Sequence, residues 1–169
     1  MEQESSLSAL EKAQIAYNQF PEEFKSIILS TVSDDGFPHT SYAPFVMDEG
    51  KNIYILASDL AQHTQHLRNS NKASILFIAE ESKTPQIFAR TRLTFNCTAT
   101  IIERETTQWQ LIIDQMQERF GEIVGMLRGL MDFHLFKLTP TQGQFVMGFG
   151  QAYQISGEQL DVLTHQKRS

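Results

Sequence analysis

Five histidines, a pair of arginines and one aspartate at a strand start hold most of the chemistry open to this chain. His165 lies in the polar run Leu163-Thr-His-Gln-Lys-Arg-Ser169, where it has no core to fill. A neutral imidazole on such a tail suits axial ligation of haem iron, and simple exposure is the alternative. Asp132 opens the apolar stretch Met131-Asp-Phe-His-Leu-Phe136, where a carboxylate caps a strand or orients a histidine. Arg90 and Arg92 bracket Thr91, and strand alternation places both on one side. Two guanidinium groups on one surface favour an anion between them, a phosphate or a carboxylate; a solvated sheet edge is the alternative. His63 and His66 are three apart on a polar helix and could share a metal, but spacing suggests no third ligand. His39 and His134 sit at or in strands and read as structural.

Several chemistries are excluded at the level of motif. The chain has no H-E-x-x-H, no C-x-x-C, no phosphate loop with Gly-Lys-Ser/Thr and no nucleophile elbow. Gly148-Phe149-Gly150 lacks the third glycine of a dinucleotide loop and reads as a bulge or a close backbone approach. The single cysteine, Cys97, can form neither an internal disulfide nor a cysteine-based metal site. With 14 Lys+Arg against 20 Asp+Glu the formal charge is −6, so the basic excess of a nucleic-acid binder is missing. The start, MEQESSLSALEKAQ, is acidic and polar where a signal peptide is basic and then apolar. No apolar stretch approaches the roughly 20 residues of a membrane span. The expectation is a cytoplasmic protein with no nucleic-acid and no membrane partner.

The elements that must position these residues form one domain over residues 1–169, with a helix at 7–19 and a polar tail at 157–169. Leu10, Ala13, Tyr17 and Phe20 recur at helical spacing before Pro21. Ser26–Val32 and His39–Val46 flank the turn formers Ser33–Pro38 as an antiparallel hairpin, and Ile53–Ala57 is the next strand. Residues 60–69 form a polar helix, Ala73–Ala79 a buried strand and Leu93–Ile102 a long strand with a bulge expected between Cys97 and Thr98. Trp109, Ile112, Ile113, Met116, Phe120, Val124 and Leu127 stripe one helix from about Thr106 to Leu127, weakened by Gly121 and Gly125. Phe133–Leu138 and Gln144–Gly148 read as two strands separated by a turn at 139–143. Short strands with singly inserted helices argue for a mainly β, antiparallel barrel rather than βαβ units.

The hairpin, Ser41-Tyr-Ala-Pro-Phe-Val46, Phe88-Ala-Arg-Thr-Arg-Leu-Thr-Phe95, Glu118-Arg-Phe-Gly121, Met131-Asp-Phe133 and Gly148-Phe-Gly-Gln-Ala-Tyr153 together resemble haem-utilisation proteins of the HutZ/HugZ type. These sit within the pyridoxamine 5'-phosphate oxidase-like superfamily, and the resemblance spans roughly residues 24–165. It implies a Greek-key, FMN-binding type of split barrel with six main strands and flanking helices, and a homodimer with its ligand sites at the subunit interface. It also implies oxygen-dependent haem degradation with an external reductant, or haem handling without turnover. His165 would then be the iron ligand, Asp132 the carboxylate hydrogen-bonded to it and Arg92 the arginine on the other side of the haem. The flavin-binding members imply the alternative, an FMN-dependent oxidoreductase with a cofactor site at Ser41, Tyr42, His63, Arg90 and Arg92. Ser41 and His63 stand where those members carry Arg and Lys, which removes strong phosphate contacts. The family's tail has an upstream histidine and a ligand histidine before basic residues, so His165-Gln-Lys-Arg168 matches either one.

Overall fold

The computed structural model describes residues 6–169; the acidic start of the chain, residues 1–5, lies outside them. Ser8 takes an extended backbone and caps helix α1 (Ala9–Gln19), accepting from Glu11 N at 3.2 Å while the Glu11 carboxylate accepts from Ser8 N at 2.7 Å. This reciprocal cap satisfies two otherwise orphaned donors and explains why the helix starts at Ala9 rather than at residue 7.

Nine strands follow in one antiparallel sheet: β1 (Ser26–Val32), β2 (Pro38–Pro44), β3 (Val46–Met47), β4 (Ile53–Ser58), β5 (Lys72–Ile78), β6 (Arg92–Ile102), β7 (Phe133–Gly148), β8 (Gln151–Ser156) and β9 (Val162–His165). Helix α2 (Gln62–Ser70) lies between β4 and β5, and α3 (Thr107–Phe120) and α4 (Glu122–Leu127) lie between β6 and β7. The sheet order is β2-β1-β5-β6-β7-β4-β3, with β8 on β7 and β9 on β8. Its ends, β2 and β3, do not pair with each other, so the barrel is split, as the mainly β reading requires.

Alternation along the strands sends Ile27, Leu29, Ile75, Phe77, Leu93 and Phe95 into the main core, where Ala13 and Tyr17 of α1 close one side. The Tyr17 hydroxyl donates to Leu160 O at 2.8 Å, so α1 is pinned to the chain just before β9. A second core lies on the other side of β4 and β7, where Trp109, Ile112, Ile113 and Met116 of α3 cover Val46, Tyr54 and Leu135.

Three features depart from the sequence reading. Residues 139–143 do not turn: β7 is one strand of 16 residues, pairing β4 with its first half, β8 with its second and β6 throughout. The run Thr-Pro-Thr-Gln-Gly is instead absorbed by a bulge at Thr141 of β7, opposite the Asn96–Cys97 step of β6 and so one residue before the step where a bulge in β6 was expected. Gly143 is required there, because a Cβ would meet Phe95 Cδ1 and Thr94 O at 2.6 Å. The long helix is two helices, broken at Gly121, whose φ of 85° and ψ of −158° no helix accommodates. The tail at 157–169 contains β9, held to β8 by a four-residue register from Val162 to His165.

Candidate functional site

His165 is placed by β9 rather than by a loose tail. Its partner across the ladder is Tyr153, itself opposite Phe145 of β7, so the three share one face of the sheet. The imidazole tilts over the Tyr153 ring at 5.3 Å between centroids, and its Nε2 lies 2.6 Å from Gly150 O. Gly150 has φ +66° in the turn between β7 and β8, which is what the Gly-Phe-Gly run provides in place of a nucleotide loop. A carbonyl at one ring nitrogen makes that nitrogen the donor and leaves the lone pair on the other, the arrangement that orients histidine ligands at metal sites. Beside the ring is a cavity of about 720 Å³, walled mainly by Leu10, Met147, Tyr153 and Leu163. Its size falls within the range of small-molecule sites.

Arg92 lies on the opposite face. Ladder partners Ile78, Val146 and Ala152 share its side of the sheet, while Leu93, Phe145 and Tyr153 point the other way. One guanidinium N–H donates to Arg90 O at 2.9 Å. Arg90 is not on that strand: it follows a single 3-10 turn at Ile87–Ala89, so strand alternation does not place it beside Arg92. Its Nε donates to Ala79 O at 2.6 Å and its Nη1 lies 3.6 Å from Glu81, which occupies the charge locally.

Asp132 stands just before β7, at the other end of that strand from the His165 row. Ser58 Oγ donates to Asp132 Oδ2 at 3.4 Å, and Asp59 N donates to Asp132 O at 2.8 Å. Next to it Asp59 receives Arg68 at 3.2 Å, and His134 Nε2 lies 2.9 Å from Asp59 Oδ1 without the alignment of a hydrogen bond. Asp59 and Arg68 were not singled out in the sequence, where Asp59 reads as the opening of a helix. The strand contour from Phe133 to Phe145 is roughly 40 Å at ~3.3 Å per residue. His165, Asp132 and Arg92 therefore occupy an inner edge, a strand entry and an outer face of the chain.

Ser41 and His63 meet: His63 Nδ1 is 2.8 Å from Ser41 Oγ. Beside them His66 Nδ1 lies 2.9 Å from Thr31 Oγ1 and its ring packs edge-on to His39 at 5.4 Å. Burial, and then the charges of His39 and His66, hold the His63 pKa below the usual histidine value. A neutral imidazole spent on a serine is a poor anchor for a flavin phosphate, so these positions fit FMN poorly. Tyr42 alternates to the other face of β2 and is 69% exposed, away from Ser41 and His63. Among the described residues no group of three or more His, Cys, Asp or Glu forms a metal site, which leaves the His63–His66 pair without a ligand set. Burial pushes the Cys97 thiol up to about 12, so it is a packing residue and not a nucleophile.

The depressed His63 pKa has a consequence for stability. The unfolded chain binds a proton at this site at a higher pH than the folded one, so the contribution is intact above the unfolded value and is lost as pH falls. His63→Gln is expected to flatten the fall of Tm between about pH 7 and pH 5. Thermal melts across that window check it, and an unchanged slope would assign the acid sensitivity to other groups.

Comparison with known proteins accords with this fold. Residues 13–147 match the family described as pyridoxamine 5'-phosphate oxidase. The chain is 46% identical over 147 residues, 87% of its length and 83% of the relative's, to a Vibrio cholerae protein named heme oxygenase HutZ. It superimposes on a crystal structure of Vibrio cholerae HutZ, there described as a heme storage protein, with a TM-score of 0.74 at 42% identity, covering 80% of this chain and 96% of that one. Campylobacter jejuni ChuZ gives a TM-score of 0.81 at 34% identity over 96% of this chain and 64% of its own length. Strand order, an open barrel and these matches lead to one conclusion: the chain belongs to the pyridoxamine 5'-phosphate oxidase-like split-barrel family, in its HutZ-type branch.

Proposed function

We propose that this protein binds haem as its substrate and opens the porphyrin ring in an oxygen-dependent reaction that takes electrons from an external reductant and releases iron. The observation that carries the reading is His165, an exposed imidazole oriented by the Gly150 carbonyl at the rim of an apolar cavity. Its likeness to a protein named heme oxygenase supports the same reading. Haem would bring the redox iron; one His165 nitrogen would hold that iron, the other, which faces Gly150 O in this chain by itself, would turn to donate to a carboxylate, and a guanidinium would supply a hydrogen-bond donor to the bound group. Asp132 and Arg92 are the carboxylate and the donor. Work with an external reductant fits the cytoplasm, where the lone thiol also stays reduced.

The scattering of the three residues within one protomer supports a homodimer with composite sites. The sheet face that carries Arg92 also bears Ile28, Leu76 and Tyr42, with Ile28 38% and Tyr42 69% exposed. Such a half-apolar sheet face favours a covering partner, and a two-fold dimer uses the same patch on both copies. In this arrangement His165 of one protomer meets Asp132 and Arg92 of the partner subunit.

Asp132→Asn tests the carboxylate. The variant is expected to keep the Soret band of the haem complex while ring opening under ascorbate and oxygen slows about tenfold to a hundredfold, because an amide orients the imidazole without charging it. Stopped-flow decay of the Soret band reads the rate. Decay at the wild-type rate would remove Asp132 from the reaction.

A further inference from the structure

Helix α1 forms the far wall of the cavity at His165. Leu10 lines it together with Met147, Tyr153 and Leu163, and Lys12 of the same helix lines it too. The helix is not free to drift, since Ala13 is fully buried and the Tyr17 hydroxyl is bonded to Leu160 O at 2.8 Å. The acidic neighbour of Lys12, Glu11, is turned back onto Ser8 N at 2.7 Å by the capping box. Among the described residues no carboxylate lies within 4.0 Å of the Lys12 ammonium. An apolar cavity with one nitrogen ligand at one side and one uncommitted cation at its edge is complementary to a flat apolar ligand that carries carboxylates.

We propose that α1 is part of the haem site: Leu10 supplies apolar wall and Lys12 pairs with a propionate carboxylate, so that the N-terminal helix helps select a porphyrin bearing free acids. The inference rests on the reading of His165 as the iron ligand. Lys12 is a positioning residue here, since it touches the periphery of the ligand and not the reacting centre.

The test is an absorbance titration of the intact protein with hemin and with hemin dimethyl ester, in which both propionates are neutral. Lys12→Glu is expected to raise the hemin Kd about tenfold at low salt and Lys12→Gln about threefold, the scale of exposed charge pairs, while Lys12→Arg stays near wild type. The ester should bind wild type and all three variants alike. Lys12→Gln guards against disturbance of the neighbouring cap by a second glutamate. Wild-type hemin affinity in both Lys12→Glu and Lys12→Gln, with binding lost in His165→Ala, would overturn the role of α1 and leave the iron ligand standing. An equal loss for hemin and ester would overturn the charge pairing. Wild-type binding in His165→Ala would fail the iron-ligand reading, and the Lys12 inference with it.

Discussion

His165→Ala is expected to lose the Soret shift on hemin addition and to weaken haem binding by more than about a hundredfold, with the fold intact. The loss should be this large because the cavity holds no second imidazole: its other walls are aliphatic, aromatic, amide and hydroxyl groups, with the Met147 thioether and one lysine as weaker donors to the iron. An apolar cavity still attracts a porphyrin, so residual binding would appear as a broad, unligated haem spectrum rather than none. The fold should survive because the side chain is exposed and its one hydrogen bond is to a turn carbonyl. Strand β9 is held by its backbone ladder and by Leu163, which the substitution leaves alone. Equal Tm values for the two proteins, with the spectra set beside them, separate ligand loss from unfolding. An unchanged Soret band would mean that another residue binds the iron.

How much of this was readable in the chain differs between elements for physical reasons. Strands β1, β5 and β6 follow from period-two burial and β4 from a short apolar run covered on both faces, which are local properties of the sequence. Strand β7 was not readable as one element, because Thr-Pro-Thr-Gln-Gly is turn-forming by every local rule. The bulge at Thr141 against β6 and the close approach of Gly143 to Phe95 override that preference, and both depend on a partner more than 40 residues away. Strand β9 is four residues long and amid polar neighbours, too short for a pattern; its order comes from β8 and from the Leu160 and Leu163 side chains buried in the core. The site divides in the same way. His165 stood out because a histidine in a polar run has no packing to do. The Gly150 carbonyl, the Tyr153 ring and Lys12 carry no local signal and become partners of the site only through strand register and the docking of α1. Arg90 shows the converse: its alternation with Arg92 was sound arithmetic for a strand that begins two residues later.

The separation of His165 from Asp132 leads to the sharpest test of the dimer. Let His165→Ala and Asp132→Asn protomers be co-expressed with different tags and the mixed dimers isolated. Where each site takes its histidine from one chain and its carboxylate from the other, a mixed dimer holds one site with both residues native and one with neither. Its activity should then be about half that of wild type per dimer, although each parent homodimer is nearly inactive. Where both residues of a site came from one chain, every site in the mixed dimer would lack one of them, and no activity would be regained. Random mixing without separation dilutes the signal to about a quarter of wild type, still far above either parent. The expectation is the regained half. It rests on the proposed composite site: β7 sets the carboxylate at its entry and the histidine row at its far end, and a second copy would bring the two together without breaking the sheet that holds them.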